Sequence, residues 1–191
     1  PVRIAKTGYT GEPIGYELYC NSEDARYFWD RLIELGAKPT ALGARDTTRM
    51  EAALPLYGHE MGECEMGGEI QIYAVPLAKF AVSFDEAKGD FIGREPLKKQ
   101  FEALKKIMNR DYSSIEDLPY RIQPIYLEGK GVLRKGFPIY CKDAWAEGKQ
   151  IGYVTSGTMI PYYKTEGQGL ESVFTDETGK RSIGLAYMDS R

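Results

Sequence analysis

Residues 7 to 61 carry the side chains best suited to chemistry: a glycine turn leading into Thr7-Gly-Tyr-Thr-Gly-Glu-Pro-Ile-Gly-Tyr-Glu-Leu-Tyr19, and an arginine-bearing stretch, Leu42-Gly-Ala-Arg-Asp-Thr-Thr-Arg-Met-Glu-Ala-Ala-Leu-Pro-Leu-Tyr-Gly-His-Glu-Met61. Together they offer a carboxylate, a guanidinium and flat aromatic rings. In a closed site an unpaired carboxylate costs several kcal/mol, roughly, so Glu17 there demands a partner that donates hydrogen bonds. Otherwise Glu17 is a solvent-facing strand residue. Arg45 and Arg49 lie four apart, a repulsive spacing on a helix unless an anion lies nearby. Asp46 pairs with Arg49 at i,i+3 and leaves Arg45 freer to fork onto a carboxylate of ligand or protein. Tyr9 or Tyr16 could cover a planar heterocycle whose edge Glu17 grips. His59 is the only histidine, so no multi-histidine metal site or two-histidine relay can form, and we read it as a loop or helix-end residue. Ser156, in Thr155-Ser-Gly-Thr158, lacks the strand-to-helix setting of a nucleophile and is expected in a β turn, as a hydrogen-bonding residue.

These groups need positioning. Gly8 and Gly11 let the chain turn, with Val2 to Lys6 leading in as a strand and Ile14 to Tyr19 returning as its partner. In that strand Tyr16 and Leu18 share one face, Glu17 and Tyr19 the other. A helix capped by Asn21 or Ser22 follows. Its apolar stripe of Ala25, Phe28, Trp29, Leu32 and Leu35 should pack on Leu18, and Gly36 ends it. A Thr40 cap opens the arginine helix, which Pro55 stops. Phe80, Val82 and Phe84 alternate as a half-buried strand, and Pro96 begins a helix with Leu97, Phe101, Leu104 and Met108 on one side. The polar stretch Asn109 to Pro119 reads as a linker. Beyond it, Ile122 to Leu127, Phe137 to Cys141, Ile151 to Thr155 and Ile183 to Tyr187 are short apolar runs between glycine-rich turns, the texture of a small β-barrel or sandwich. Pro161 to Arg181 reads as a long hairpin or a mobile loop. The fold class is α+β, in three parts: residues 1–108, a linker at 109–119, and a β domain at 120–191.

Composition narrows the function. The 191 residues carry a formal charge of −3, which gives no electrostatic case for nucleic acid; Lys98-Lys99 with Lys105-Lys106 is read as the solvated face of a helix. Cys20, Cys64 and Cys141 are far apart and in no C-x-x-C pair, so a reducing, cytoplasmic compartment fits. No apolar run is long enough to span a membrane, and the start, lacking both Met and a signal core, reads as a cut inside a longer product.

The motifs closely resemble those of the glycine cleavage T-protein family, the tetrahydrofolate-dependent aminomethyltransferases. Besides T-G-Y-T-G-E and L-G-A-R-D, the similar segments are Lys88-Gly-Asp-Phe-Ile-Gly-Arg-Glu95, Gly129-Lys-Gly-Val132, Gly136-Phe-Pro138 and Ile151-Gly-Tyr-Val-Thr-Ser-Gly-Thr158. The resemblance implies the second half of a folate-binding domain with ferredoxin-like β-β-α elements, then a small C-terminal β-barrel whose last strand is absent. It implies tetrahydrofolate as the folate, with Glu17 forking onto the pterin, Tyr9 beside it, Arg45 as a folate or substrate contact, and Glu12 and Tyr16 as supporting residues. The implied reaction moves a one-carbon unit from a lipoyl-bound aminomethyl group to tetrahydrofolate and releases ammonia, without a metal. Its partners would be the lipoyl carrier protein of the glycine cleavage complex and the N-terminal half of the same protein. That half would hold the acidic residue that organises the folate nitrogen, so this chain would supply no catalytic residue and would be inactive alone. A related folate-dependent demethylase, or the folate module of an amine-oxidising enzyme, is the alternative within the enzymes. A non-enzymatic folate-binding module is disfavoured, since its K-G-C-Y-x-G-Q signature is absent.

Overall fold

The computed structural model describes residues 1–191, which divide into two compact units, Pro1–Leu54 and Pro55–Arg191. The first unit opens with β1 (Arg3–Ala5) and β2 (Glu17–Tyr19), an antiparallel pair in the register Arg3 to Tyr19, Ile4 to Leu18 and Ala5 to Glu17. The pair is the expected one, but shorter than read from sequence, because Pro13 and the glycines at 11 and 15 keep residues 6–16 out of the ladder. Two helices follow, α1 (Ala25–Glu34) and α2 (Leu42–Glu51). Ahead of α1 a 3₁₀ turn covers Ser22–Asp24, Asn21 makes no side-chain cap bond, and Gly36 ends the helix at φ +97° as predicted. Thr40 does not cap α2: the cap position belongs to Ala41, without a side-chain bond. The stripe of α1 is not buried either, since no α1 residue is buried and Leu18 and Leu32 stay 40% and 43% exposed.

The second unit is built on α3 (Arg94–Met108) and a four-stranded antiparallel sheet of β3 (Tyr120–Leu127), β4 (Pro138–Tyr140), β5 (Gln150–Glu166) and β6 (Val173–Asp189), ordered β3-β6-β5-β4. The sheet curls as half a barrel and leaves β3 and β4 as edges. The mixed α+β class thus stands. Residues 161–181, left open between hairpin and loop, are the outer half of the β5–β6 hairpin, paired from Gly152 with Met188 out to Glu166 with Val173. Ser156 lies within β5 and not in a β turn; β5 continues past it because β6 pairs along its whole length. A register shift between Val154 and Ser156 leaves Thr155 as the extra residue of a bulge.

The expected strand of Phe80, Val82 and Phe84 does not form. Residues 76–80 make a 3₁₀ turn and 81–85 run irregularly, since no neighbouring strand is there to pair with them. The alternation has another cause: Phe84 stacks on Tyr73, Phe91 and Phe101 at ring distances of 6.4, 6.3 and 5.5 Å, while Phe80 points to solvent under the Lys79 ammonium.

One apolar core holds this unit. Ile70, Tyr73, Ala74 and Val75 pack with Ala103, Leu104 and Ile107 of α3, with Leu118, and with Ile122, Tyr153, Leu185 and Tyr187 of the sheet. Leu118 is fully buried, the Gln71 side chain donates to Asp117 O at 3.0 Å, and Ser190 Oγ donates to Leu118 O at 2.7 Å. The 109–119 stretch therefore lies inside the second compact unit, whose boundary falls at residues 54 and 55. Burial pushes the Tyr187 phenol up to about 12. No helix is long and apolar enough to cross a membrane.

Leu104 is 1% exposed at the centre of that core. Leu104→Ala should cost about 2–5 kcal/mol of unfolding free energy, read by chemical denaturation of the whole chain.

Candidate functional site

The first unit holds a cleft of about 600 Å³, within the range of small-molecule sites. Its wall is made on one side by the glycine turn and on the other by the start of α2. Tyr9, Tyr16, Glu17 and Arg45 all line it, along with Thr7 and Thr48. Four of the five residues singled out from the sequence are thus brought together. The fifth, Glu12, is exposed in the turn and does not line the cleft; its backbone N–H bonds to Thr10 Oγ1 at 3.3 Å.

The turn closes tightly because two glycines leave no side chain in the way. A Cβ on Gly15 would stand 2.8 Å from Thr7 O and 3.4 Å from Gly8 Cα. Gly11 has φ +83°, and a Cβ there would collide with the Ala52 side chain. This close approach returns the chain beside its own start and sets β2 against β1. The alternation of β2 then puts Glu17 and Tyr19 on one face, and the Tyr19 hydroxyl donates to Glu17 Oε2 at 2.7 Å. That hydrogen bond, and the nearby negative charge, raise the Tyr19 pKa.

On α2 the two arginines have different surroundings. Arg49 is 1% exposed; its Nε and Nη2 bond to Asp46 Oδ1 at 2.7 and 2.6 Å, and its Nη1 to Leu54 O at 3.1 Å. Asp46 thus pairs with Arg49 as the i,i+3 spacing predicts. Arg45 is exposed, makes no ion pair, and places its guanidinium carbon 5.7 Å from the centre of the Tyr9 ring. A cation held against one wall and a carboxylate on another can take a planar, polar ligand by its faces and edges.

Sequence reasoning did not find a buried polar chain in the second unit. His59, in the turn after α2, approaches Ser156 of β5, and Ser156 donates to Glu60. Ninety-six residues separate Ser156 from Glu60, and no local pattern could have joined them. No group of three or more His, Cys, Asp or Glu side chains is placed to hold a metal ion. Cys20, Cys64 and Cys141 are unpaired, and the Tyr153 hydroxyl lies 3.6 Å from Cys64 Sγ.

The first unit is thus a small α+β unit whose glycine-turn cleft is lined by a carboxylate and a guanidinium, and the second is built on an antiparallel sheet. Comparison with known proteins extends this description. The model of the GCVT N-terminal domain family matches residues 1–74. An aminomethyltransferase of Halalkalibacterium halodurans is 40% identical over 193 aligned residues, which cover 99% of this chain and 41% of that protein. One from Bacillus cereus is 36% identical over the same shares, and one from Staphylococcus saprophyticus 37% identical over 98% of this chain and 40% of that protein. The crystal structure of the glycine cleavage system aminomethyltransferase T from Bartonella henselae superposes with a TM-score of 0.55 over 98% of this chain and 42% of that one, at 22% identity, a likeness of fold. The chain is therefore similar, over nearly all its length, to a C-terminal portion of the T-protein aminomethyltransferases. It spans about two fifths of the length of the curated relatives it matches.

The Glu17–Tyr19 contact gives a pH prediction. Replacing Glu17 by Gln removes the charge that holds the Tyr19 proton, so the Tyr19 pKa should fall back toward the ordinary tyrosine value of about 10. A raised phenol pKa stabilises the fold at pH below the ordinary tyrosine value, and the contribution is lost as pH rises through the raised one. Site-labelled NMR titration of Tyr19 reads the shift; an unchanged midpoint in Glu17→Gln would contradict the assigned cause.

Proposed function

We propose that the cleft of Tyr9, Tyr16, Glu17 and Arg45 takes the pterin of tetrahydrofolate, and that the chain is part of a tetrahydrofolate-dependent aminomethyltransferase of the glycine cleavage system. The observation that carries this reading is the convergence of these four residues on one cleft, within a chain whose relatives are aminomethyltransferases. A pterin presents an amino group and a ring N–H side by side. Glu17 accepts both, as charge-assisted bonds of about 1.5–3 kcal/mol apiece, and Tyr9 or Tyr16 covers the ring. Arg45 neutralises a folate or substrate carboxylate. Glu12 acts from the turn, outside the cleft.

In this reading the parent enzyme binds an aminomethyl group on the lipoyl arm of a carrier protein. One folate nitrogen displaces the amine from the methylene carbon and a second folate nitrogen displaces the dihydrolipoyl sulfur. The two N–H protons go to the departing amine, which leaves as ammonia, and to the thiolate, and the carbon ends as a methylene bridge between the two nitrogens. Orientation supplies most of the rate, since the reacting nitrogen and carbon must be held in contact while the amine leaves. We assign the activity to a polypeptide of the relatives' length. The acidic residue that organises the folate nitrogen is assigned to the N-terminal half of that polypeptide. Residues 1–108 then form the later part of the folate-binding domain, 109–119 its connection, and 120–191 the C-terminal β domain. A cytoplasmic setting suits the three free thiols.

Calorimetric titration of reduced folate into a full-length protein carrying this sequence tests the fork. Glu17→Ala should weaken binding by roughly a hundredfold to ten-thousandfold, the loss of two charge-assisted bonds of about 1.5–3 kcal/mol each at roughly 1.4 kcal/mol per tenfold. Equal affinity in the variant would end the assignment. The donor is tested by folate-dependent ammonia release from an aminomethyl-loaded lipoyl carrier, with dimethylglycine in competition; turnover of dimethylglycine alone would remove the glycine-cleavage reading.

A further inference from the structure

The buried polar chain of the second unit is not used by the folate reading. Residues 56–61 form a tight turn in which the His59 and Glu60 amides both donate to Leu56 O, at 3.1 and 2.9 Å, and the Gly58 amide donates to Met61 O at 2.8 Å. Lys135 Nζ fixes its outer side by donating to Gly58 O at 3.0 Å. The inner side of the turn meets β5. His59 Nδ1 lies 3.0 Å from Ser156 Oγ, Ser156 Oγ lies 2.6 Å from Glu60 Oε1, and Glu60 Oε2 accepts the Leu56 amide at 2.8 Å. Ser156 and Glu60 are 3% and 0% exposed, and the His59 ring is half-buried.

The hydrogen between Ser156 and Glu60 can be placed from the chemistry of the groups that meet there. The Leu56 amide can only donate, and a carboxylate can only accept. Ser156 has one hydroxyl hydrogen, and the 2.6 Å contact to Glu60 falls in the range of a charge-assisted O–H···O⁻ bond. That hydrogen is therefore committed to Glu60, and Ser156 Oγ has only lone pairs to offer His59. The imidazole must bring the hydrogen at Nδ1. We propose that Glu60 and Ser156 lock His59 as its Nδ1–H tautomer, leaving Nε2 with a lone pair and no partner within the protein, as an acceptor for an N–H or O–H group of a bound small molecule.

The arrangement differs from a nucleophilic triad in its order. There the histidine stands between serine and acid and takes the serine proton. Here the serine stands between histidine and acid, its proton is already given to Glu60, and its oxygen is buried. Ser156 is thus a positioning residue, and the chemistry it sets up is presented at the far nitrogen of His59. The bulge at Thr155 is what places Ser156 on this side of the strand out of step with the β6 ladder.

Because His59 is the only histidine, its ring nitrogens can be read without assignment, by long-range ¹⁵N–¹H correlation at a pH where the imidazole is neutral. The whole chain should show hydrogen on Nδ1 and a bare Nε2; a dominant Nε2–H form would overturn the proposal. Glu60→Gln should invert the result. With the carboxamide oxygen on the Leu56 amide, its NH₂ faces Ser156 Oγ and donates, and the freed hydroxyl hydrogen passes to His59 Nδ1, moving the ring hydrogen to Nε2. An unchanged tautomer in Glu60→Gln would sink the argument. Ser156→Ala provides the check should that variant fold poorly: without its acceptor the Nδ1–H preference should vanish, and its persistence would count against us. Diethyl pyrocarbonate, which acylates the ring nitrogen bearing the lone pair, tests whether the atom is open. We expect carbethoxylation at Nε2 in the native chain and severalfold slower reaction in Glu60→Gln; a native chain that does not react would refute an available acceptor.

Discussion

The constraint on which most of the chain depends is the covering of one face of the four-stranded sheet. A sheet open at both edges is stable only if a layer packs on it, and here the layer is α3 with the segment 70–75. Tyr73 is the joint. Its ring lies 5.2 Å from Phe101 of α3 and 6.4 Å from Phe84, while Tyr187 of β6 stands 5.3 Å from Tyr120 and 6.0 Å from Tyr153. The same burial raises the Tyr73, Tyr153 and Tyr187 phenols, since the charged form of each would lose its water. The Tyr73 hydroxyl is buried without a hydrogen-bond partner, a local cost of the position that seats its ring among Phe84 and Phe101.

The first unit obeys a different balance. In its 54 residues only Arg49 and Met50 are buried, whereas Ile4, Ile14, Tyr27, Trp29 and Leu35 are all more than half exposed. A piece of that size buries too little apolar surface to depend on its core alone. Local devices contribute to its order: the glycine turn, three ladder positions between β1 and β2, and the Asp46–Arg49 pair inside α2. Those devices shape the cleft. The close turn around Gly15 sets Tyr9 and Tyr16 on one wall, and helical spacing sets Arg45 on another.

This division explains which features were legible in the sequence. Helices α1, α2 and α3 are marked by spacing and by glycine and proline punctuation, and they formed where the pattern put them. The four strands of the sheet were each seeded by a visible apolar run, but β5 and β6 extend well beyond their runs, to 17 residues each, because each pairs with the other whatever its side chains. Phe80, Val82 and Phe84 failed as a strand for the converse reason: alternation without a partner strand satisfies no backbone. Tyr9, Tyr16, Glu17 and Arg45 could be grouped because short segments on known periods carry them. The link from His59 to Ser156 and Glu60 could not, since it depends on a bulge and on a contact far apart in sequence.

The exposed carboxylate of Glu17 already accepts one hydrogen bond, from Tyr19, and that bond is compatible with a ligand-gripping role. An ionised carboxylate has two oxygens and about four lone-pair directions. Tyr19 occupies one of them at Oε2 and holds the plane of the group, leaving Oε1 and the second lone pair of Oε2 for paired donors. Fixing the plane in advance removes rotamer entropy that a ligand would otherwise have to overcome. Arg45 is prepared in a comparable way, by its position over Tyr9 and by Asp46 having turned to Arg49. Had Asp46 faced Arg45 instead, the one exposed guanidinium on this wall would be neutralised and the buried Arg49 would lose its carboxylate within the helix. The choice of partner for a single aspartate therefore decides both the stability of α2 and the charge that the cleft presents.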